Sequence, residues 1–250
     1  MKSKINIKYA GLVFGMILTL TLTTNSALAS STCDGTANCW QIGAEHTASG
    51  IVDIHADVNT PPVPTAVSAT TLYWIGADTV QGTNKYLTQP ELLAVPGDNK
   101  WRITLESVSY ATGNDVNYDF SNMEYSSGKS MYMEDAVFPS GYTRAGQNFQ
   151  DVEDTSVGYG ASAYFNGVTY GSSFNKMYAE LESYDFTGSH FSAMNSHSIS
   201  FTNYQSETTP GGTGTSQTLT ATTWASSGTA PSCITPTAGS GTITVSISGC

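Results

Sequence analysis

From residue 50 onward, apolar residues recur at every second position rather than every third or fourth. Val52, Ile54, Ala56 and Val58 alternate with Asp53, His55 and Asp57, and Trp101, Ile103 and Leu105 alternate with Arg102, Thr104 and Glu106. The pattern returns at Ile199 and Phe201, at Leu219 and Ala221, and at Ile243, Val245 and Ile247. Period two puts the apolar side chains of a run on one strand face, so each run predicts a strand with one buried and one wet face. Clusters of Gly, Pro, Asn and Ser separate the runs. The expected architecture is all-β, with two antiparallel sheets packed face to face as a β-sandwich. Pro61-Pro62-Val63-Pro64 is unsuited to a sheet interior and is expected to carry the chain between sheets. The Ser/Thr/Gly-rich stretch from Gln205 to Ser216 reads as a long loop of the same sandwich, because Leu219–Trp224 and Thr242–Ser248 beyond it still look like strands.

The N-terminus departs from this pattern. Lys2, Lys4 and Lys8 precede a mostly apolar run from Tyr9 to Leu22, and Ala27-Leu28-Ala29 offers a small-residue cleavage site, which together predict a signal peptide over residues 1–29. The run is short for a bilayer span and no later segment comes close. Export, a secreted location and one sandwich domain over 30–250 follow as expectations, with 205–250 supplying a loop and closing strands. Cleavage removes three of nine basic residues and no acid, taking the net charge from −11 to −14. So acidic a surface repels nucleic acid and anionic lipid and excludes both as partners. Cys33, Cys39, Cys233 and Cys250 are even in number and read as two disulfides in an exported protein. Three pairings are possible, and 33–39 with 233–250 is favoured because short loops close readily. A monomer is expected.

Candidate chemistry concentrates around Trp74. A strand entering with Leu72-Tyr73-Trp74 and leaving with Asp78, followed eleven residues later by Gln89, suits a polar cluster on a sheet face. The plainer reading puts Trp74 in the core, Asp78 at a turn, and Gln89, before Pro90, on the surface at a strand break. Trp74-Ile75-Gly76-Ala77-Asp78 with its trailing Gln also resembles the glutamic peptidases (eqolisins). Val58-Asn59-Thr60-Pro61 is similar to the strand and proline that precede that segment in the family. Ser127-Gly128-Lys129-Ser130 stands where the family has a Gly-Asp turn, without its Asp. Tyr178-Ala179-Glu180-Leu181-Glu182 resembles the strand that carries the catalytic glutamate, and Ser198-Ile199-Ser200-Phe201-Thr202-Asn203 the strand that follows it.

The resemblance implies a concanavalin A-like jelly roll and an acid-active endopeptidase acting on polypeptides without a cofactor. It implies that a Glu serves as general base on a water, while a Gln amide polarises the scissile carbonyl and stabilises the oxyanion. Carried over, Gln89 is the amide and Glu182 or Glu180 the base, with Glu182 preferred. Trp74, Asp78 and Tyr184 shape the substrate site. This chain departs from the family where two acids four residues apart are usual: Glu180 and Glu182 are two apart, and the residue four after Glu180 is Tyr184. A phenol cannot act as a base in acid, so an inactive relative is a second expectation. Gln89 and a glutamate of the 180–182 strand should converge in one groove.

Other chemistries are weaker. Asp53, His55 and Asp57 share a strand face but lie too far apart to hold one ion. Asp151, Glu153 and Asp154 read as a solvated loop, and Glu180 and Glu182, without the resemblance, as solvated charges. No metal site is expected, and neither a His-Glu-x-x-His nor a Gly-x-Ser-x-Gly signature occurs. Fourteen tyrosines and four tryptophans make a carbohydrate-binding or surface-interaction sandwich the alternative, with a glycosidase as its catalytic variant.

Overall fold

A computed structural model describes residues 39–63, 70–95, 97, 99–113, 115–166, 168–184, 189–225 and 228–250. The expected signal segment lies outside them. Among the described residues fifteen strands form two antiparallel sheets. The first sheet runs in the spatial order β13 (Thr220–Ala225), β1 (Trp40–Ile51), β10 (Phe174–Ser183), β3 (Thr71–Gln81), β4 (Asn84–Ala94), β5 (Trp101–Ser109) and β6 (Asp115–Tyr125). The second runs β14 (Ile234–Gly239), β15 (Thr242–Ile247), β11 (His197–Glu207), β2 (Asp53–Asn59), β7 (Ser130–Val137), β8 (Asn148–Asp154) and β9 (Tyr159–Phe165). β12 (Thr215–Ser216) pairs with β11 beside this path. One 3-10 turn, Ser189–Met194, precedes β11.

The alternating positions behave as their period requires. Ile54, Ala56 and Val58 of the second sheet, and Trp101, Ile103 and Leu105 of the first, all enter the core between the sheets. Rings lock the layers: Tyr73 lies 4.7 Å from Trp101 and 6.4 Å from Phe201, centroid to centroid. The chain leaves β2 in the second sheet and enters β3 in the first through the proline segment, as expected. Within it, the Pro61 carbonyl accepts the Trp101 indole N–H at 2.9 Å.

Two expectations need correction. Residues 205–216 are not all loop: β11 continues to Glu207, and β12 folds back onto Gln205 and Ser206. Asp151, Glu153 and Asp154 belong to strand β8 rather than a loop. Alternation turns Asp154 inward, where it is buried and paired with Lys129 at 3.2 Å. Cys233 is bonded to Cys250 as expected. Cys39 is disulfide-bonded too, and Cys33, its expected partner, lies outside the described residues.

A polar network between the sheets fixes the strands that carry the site. Asp135 of β7 is fully buried and accepts hydrogen bonds from Thr88 of β4 and Asn148 of β8. Gln150 of β8 takes the Glu106 N–H at 2.8 Å and donates to the Glu106 carbonyl at 2.6 Å. β4 and β5 are thereby held from behind at the residues whose neighbours face outward into the site.

Candidate active site

The outer face of the first sheet carries the candidate residues on adjacent rungs. One rung reads Gly43, Glu180, Trp74, Glu91, Thr104 across β1, β10, β3, β4 and β5. On one flank Gln41 is opposite Glu182, and on the other Gln89 is opposite Glu106. Cross-strand partners share a face, so all these side chains project together. The face is closed rather than wet: Gln89, Glu91, Glu106, Glu180 and Glu182 are each only 1–3 % exposed. The readings of Glu180 and Glu182 as solvated charges, and of the Arg102–Glu106 polar face as wet, fail at those residues. An apolar rim explains this, with Leu72, Trp74, Leu87, Leu93 and Tyr178 buried together and Tyr110 and Tyr184 packed against them.

The glycine of the Trp-x-Gly-x-Asp segment has a steric role. A Cβ on Gly76 would stand 3.0 Å from the six-membered ring of Trp74 and 2.7 Å from the Thr88 carbonyl oxygen. Its absence leaves room for the indole against the strand. Asp78 is buried and fully engaged: Tyr110 and Tyr178 donate to it at 2.8 and 2.7 Å, and Lys85 pairs with it at 2.9 Å. Pro90 does not break the strand. β4 runs through it, and only the β3–β4 ladder is interrupted there, because proline has no N–H to give.

Gln89 donates through Nε2 to Glu91 and, at 2.9 Å, to Glu106. Its hydrogen bonds go to neither Glu180 nor Glu182. Glu182 accepts from Gln41 at 2.9 Å and from Tyr184 at 3.1 Å, and the Trp74 indole N–H lies near it without closing a hydrogen bond. Glu180 faces a cleft of about 410 Å³ whose walls include Trp74, Tyr178, Lys176 and the half-exposed Trp224. Trp74 Nε1, Gln89 Oε1, Thr104 Oγ1 and Glu180 Oε2 are among the polar atoms buried on this face without a hydrogen-bond partner.

Electrostatics separate the carboxyls. Burial lifts Glu182 to about 7, against the lowering pull of the Gln41 and Tyr184 hydrogen bonds. Burial, and then the neighbouring Glu182, hold Glu180 well above the ordinary carboxyl range. Glu91 is raised in the same way by burial and by the adjacent Glu106. Both glutamates on β10 thus hold their protons above the ordinary carboxyl range.

Asp53, His55 and Asp57 lie on the far sheet, where Asp53 sits 3.5 Å from His55. Among the described residues no group of three or more His, Cys, Asp or Glu is arranged to hold a metal ion. Nor is any helix long and apolar enough to cross a membrane.

The sequence reading missed Glu91, Glu106 and Gln41. Gln89-Pro90-Glu91 shows the two-residue spacing that puts both polar groups on one face, and Glu106 sat in a recognised strand. Nothing in the sequence marks Gln41.

No protein-family profile matches the chain, and no curated protein matches its sequence. Solved structures do match in shape. Scytalido-glutamic peptidase with a peptide-based transition-state analogue superposes at a TM-score of 0.56 and 15% identity, covering 84% of this chain and 98% of that one. The chain has the glutamic-peptidase fold. A second structure of that peptidase, with a transition-state analogue inhibitor, gives a TM-score of 0.54 at 17% identity with the same coverage. The eqolisin SCP-B, in complex with the tripeptide Ala-Ile-His, gives 0.54 at 15%, again covering 84% of this chain and 98% of that one. The glutamic-peptidase fold is the two-sheet antiparallel sandwich expected from the alternating pattern and the Trp74 segment.

Proposed function

We propose that this protein is an exported endopeptidase of the glutamic type, cutting polypeptides with a carboxyl pair and the Gln89 amide on the outer face of the first sheet. The observation that carries the reading is the set of unpartnered buried polar atoms around Trp74, with Glu180 opening onto the cleft. Buried polar atoms without partners cost stability, and a site built to receive a polar substrate and a water accounts for that cost.

Glu180 and Glu182 divide the work that hydrolysis needs. Glu182, whose charge Gln41 and Tyr184 support, is the base that takes a proton from the attacking water. Glu180, still protonated, is the acid that delivers a proton to the departing amine. Gln89 supplies an amide on the same sheet face, and Trp74 and Tyr178 wall the cleft. Tyr184 is not a substitute base here, because its hydroxyl serves Glu182. With Glu182 lifted to about 7, activity should rise from strongly acid pH toward that titration, a milder optimum than the resemblance alone implies.

Proteolysis of a denatured protein across pH 2 to 8 tests the assignment, comparing wild type with Gln89→Ala, Glu180→Gln and Glu182→Gln. Loss of cleavage in all three, with folding retained, supports the pair and the amide. A folded, oxidised wild type that cuts nothing at any pH defeats the peptidase reading. Glycan binding on the same aromatic-walled cleft would then be the function to test.

A further inference from the structure

The cleft that Glu180 faces has two aromatic walls carried by different strands. Trp74 of β3 and Tyr178 of β10 form one, and Trp224 of β13, the edge strand of the first sheet, forms the other. β1 runs between β13 and β10 and lines the cleft through Gln41 and Glu45. Midway between those two residues is Gly43, opposite Glu180 on one side and Thr222 on the other. Only glycine fits there, since a Cβ would stand 2.1 Å from the Ala179 carbonyl oxygen and 2.7 Å from the Glu180 Cα. The rung that carries Glu180 is therefore bare backbone at its β1 position. Trp224 and Trp74 share the outer face across three strand spacings, about 14 Å at about 4.8 Å each.

Trp224 differs from the other tryptophans. Trp40, Trp74 and Trp101 are buried, whereas Trp224 is 40 % exposed and stands on the cleft. An indole in water beside a bare floor offers apolar area for a ligand to cover. The cations around the cleft are already engaged. Lys176 pairs with Glu45 at 2.6 Å and Lys85 with Asp78 at 2.9 Å. Each ammonium also lies against a ring, Tyr178 at 4.9 Å and Tyr110 at 3.9 Å. A charged side chain entering the cleft loses hydration and meets groups that are already paired. An apolar one gains by covering the indole.

We propose that Trp224 is a specificity-determining residue that selects a large apolar or aromatic substrate side chain, seated over Gly43 between the Trp224 and Tyr178 rings. This selection rests on the peptidase reading and names the residue class that reading leaves open. The seat adjoins Glu180, so the residue it holds flanks the bond to be cut.

Mass-spectrometric mapping of cut sites in a denatured protein reads the selection. Wild-type cuts should cluster beside Phe, Tyr, Trp, Leu and Met, and Trp224→Ala should flatten that pattern. On alanine octapeptides with one central Phe, kcat/KM should fall about tenfold or more in Trp224→Ala, with the all-alanine peptide changed by less than about twofold. Trp224→Phe, which keeps a ring, should recover most of the loss. Calorimetric binding of the same peptides to Glu182→Gln needs no turnover. The Phe peptide should bind more tightly than peptides with central Ala, Lys or Glu, and adding Trp224→Ala should remove that advantage. Cuts without preference for large apolar residues, or a Phe-over-Ala ratio unmoved in folded Trp224→Ala, overturn the proposal. If Trp224→Ala does not fold, the Phe, Ala, Lys and Glu affinities of Glu182→Gln decide it alone. A wild type that cuts nothing defeats the peptidase reading, and equal binding of the four peptides defeats the seat as well.

Discussion

Consider Glu182 and Asp135 as the pH rises from 4 to 8. Both are buried acids whose charged forms the fold disfavours, with Glu182 lifted from 4.5 to about 7 and Asp135 from 3.8 to about 7. Between the unfolded and folded values the native chain keeps protons that the unfolded chain has lost. Stability is therefore fully present below about pH 4 and falls as the pH climbs through 7. At about 1.4 kcal/mol per pH unit of displacement, Glu182 accounts for about 3 kcal/mol and Asp135 for about 4. Together they approach the whole stability of an ordinary domain, about 5–15 kcal/mol. Glu91 and Glu180 are raised by burial too and act in the same direction.

Urea unfolding of the oxidised protein at pH 4, 5.5, 7 and 8 measures this directly, read by fluorescence of the buried Trp40, Trp74 and Trp101. The unfolding free energy should fall by several kcal/mol between pH 4 and pH 8, with an unchanged denaturant slope. Glu182→Gln removes one titration and should shrink that fall by about 3 kcal/mol. Asp135→Asn should shrink it further. Stability that is flat or rising over this range would refute the reasoning. So would a Glu182→Gln variant whose pH dependence matches the wild type.

Other perturbations address single features. Asp78→Ala leaves Lys85, Tyr110 and Tyr178 without their common partner and should cost about 3–5 kcal/mol, measured by the same titration at pH 5. Gly76→Ala pushes a methyl into the Trp74 ring, with an expected cost of about 1–3 kcal/mol and a shifted emission maximum; an unchanged spectrum would mean the indole is not seated on Gly76. Replacing Cys233 and Cys250 together by Ser opens a bond spanning 17 residues. The loss should be about 3 kcal/mol on the loop-entropy account, and thermal unfolding without reductant tests it.

The fold was legible because period two is a strong signal: Ile54-x-Ala56-x-Val58 and Trp101-x-Ile103-x-Leu105 went where alternation put them. The pattern also placed the acids on the opposite face. It could not say whether that face was wet. Whether Glu106 meets water depends on Leu72, Leu87 and Leu93 from other strands closing over the face, and no local pattern encodes that closure. Gln41 was invisible for the same reason, since its meaning is its register opposite Glu182, set by the pairing of β1 with β10. The Asp135 network lies between the sheets, where a polar residue in an apolar run reads as noise until its partners Thr88 and Asn148 are seen.

This burial ties stability to chemistry. To accept a proton from water, Glu182 must be ionised, and ionising it in this setting withdraws the stability that its neutral form supplied. Gln41 and Tyr184 moderate the conflict by supporting the charge, but burial still outweighs them. Removing either donor should therefore lift the Glu182 titration further, moving the acid limb of kcat toward higher pH while steepening the loss of stability across the same interval. Tyr184→Phe separates the two consequences cleanly, since it deletes one hydroxyl and keeps the ring in place. If the acid limb moves up but the stability profile does not, the base is some carboxyl other than Glu182. If both move together, one proton governs how long the fold lasts and how fast it works.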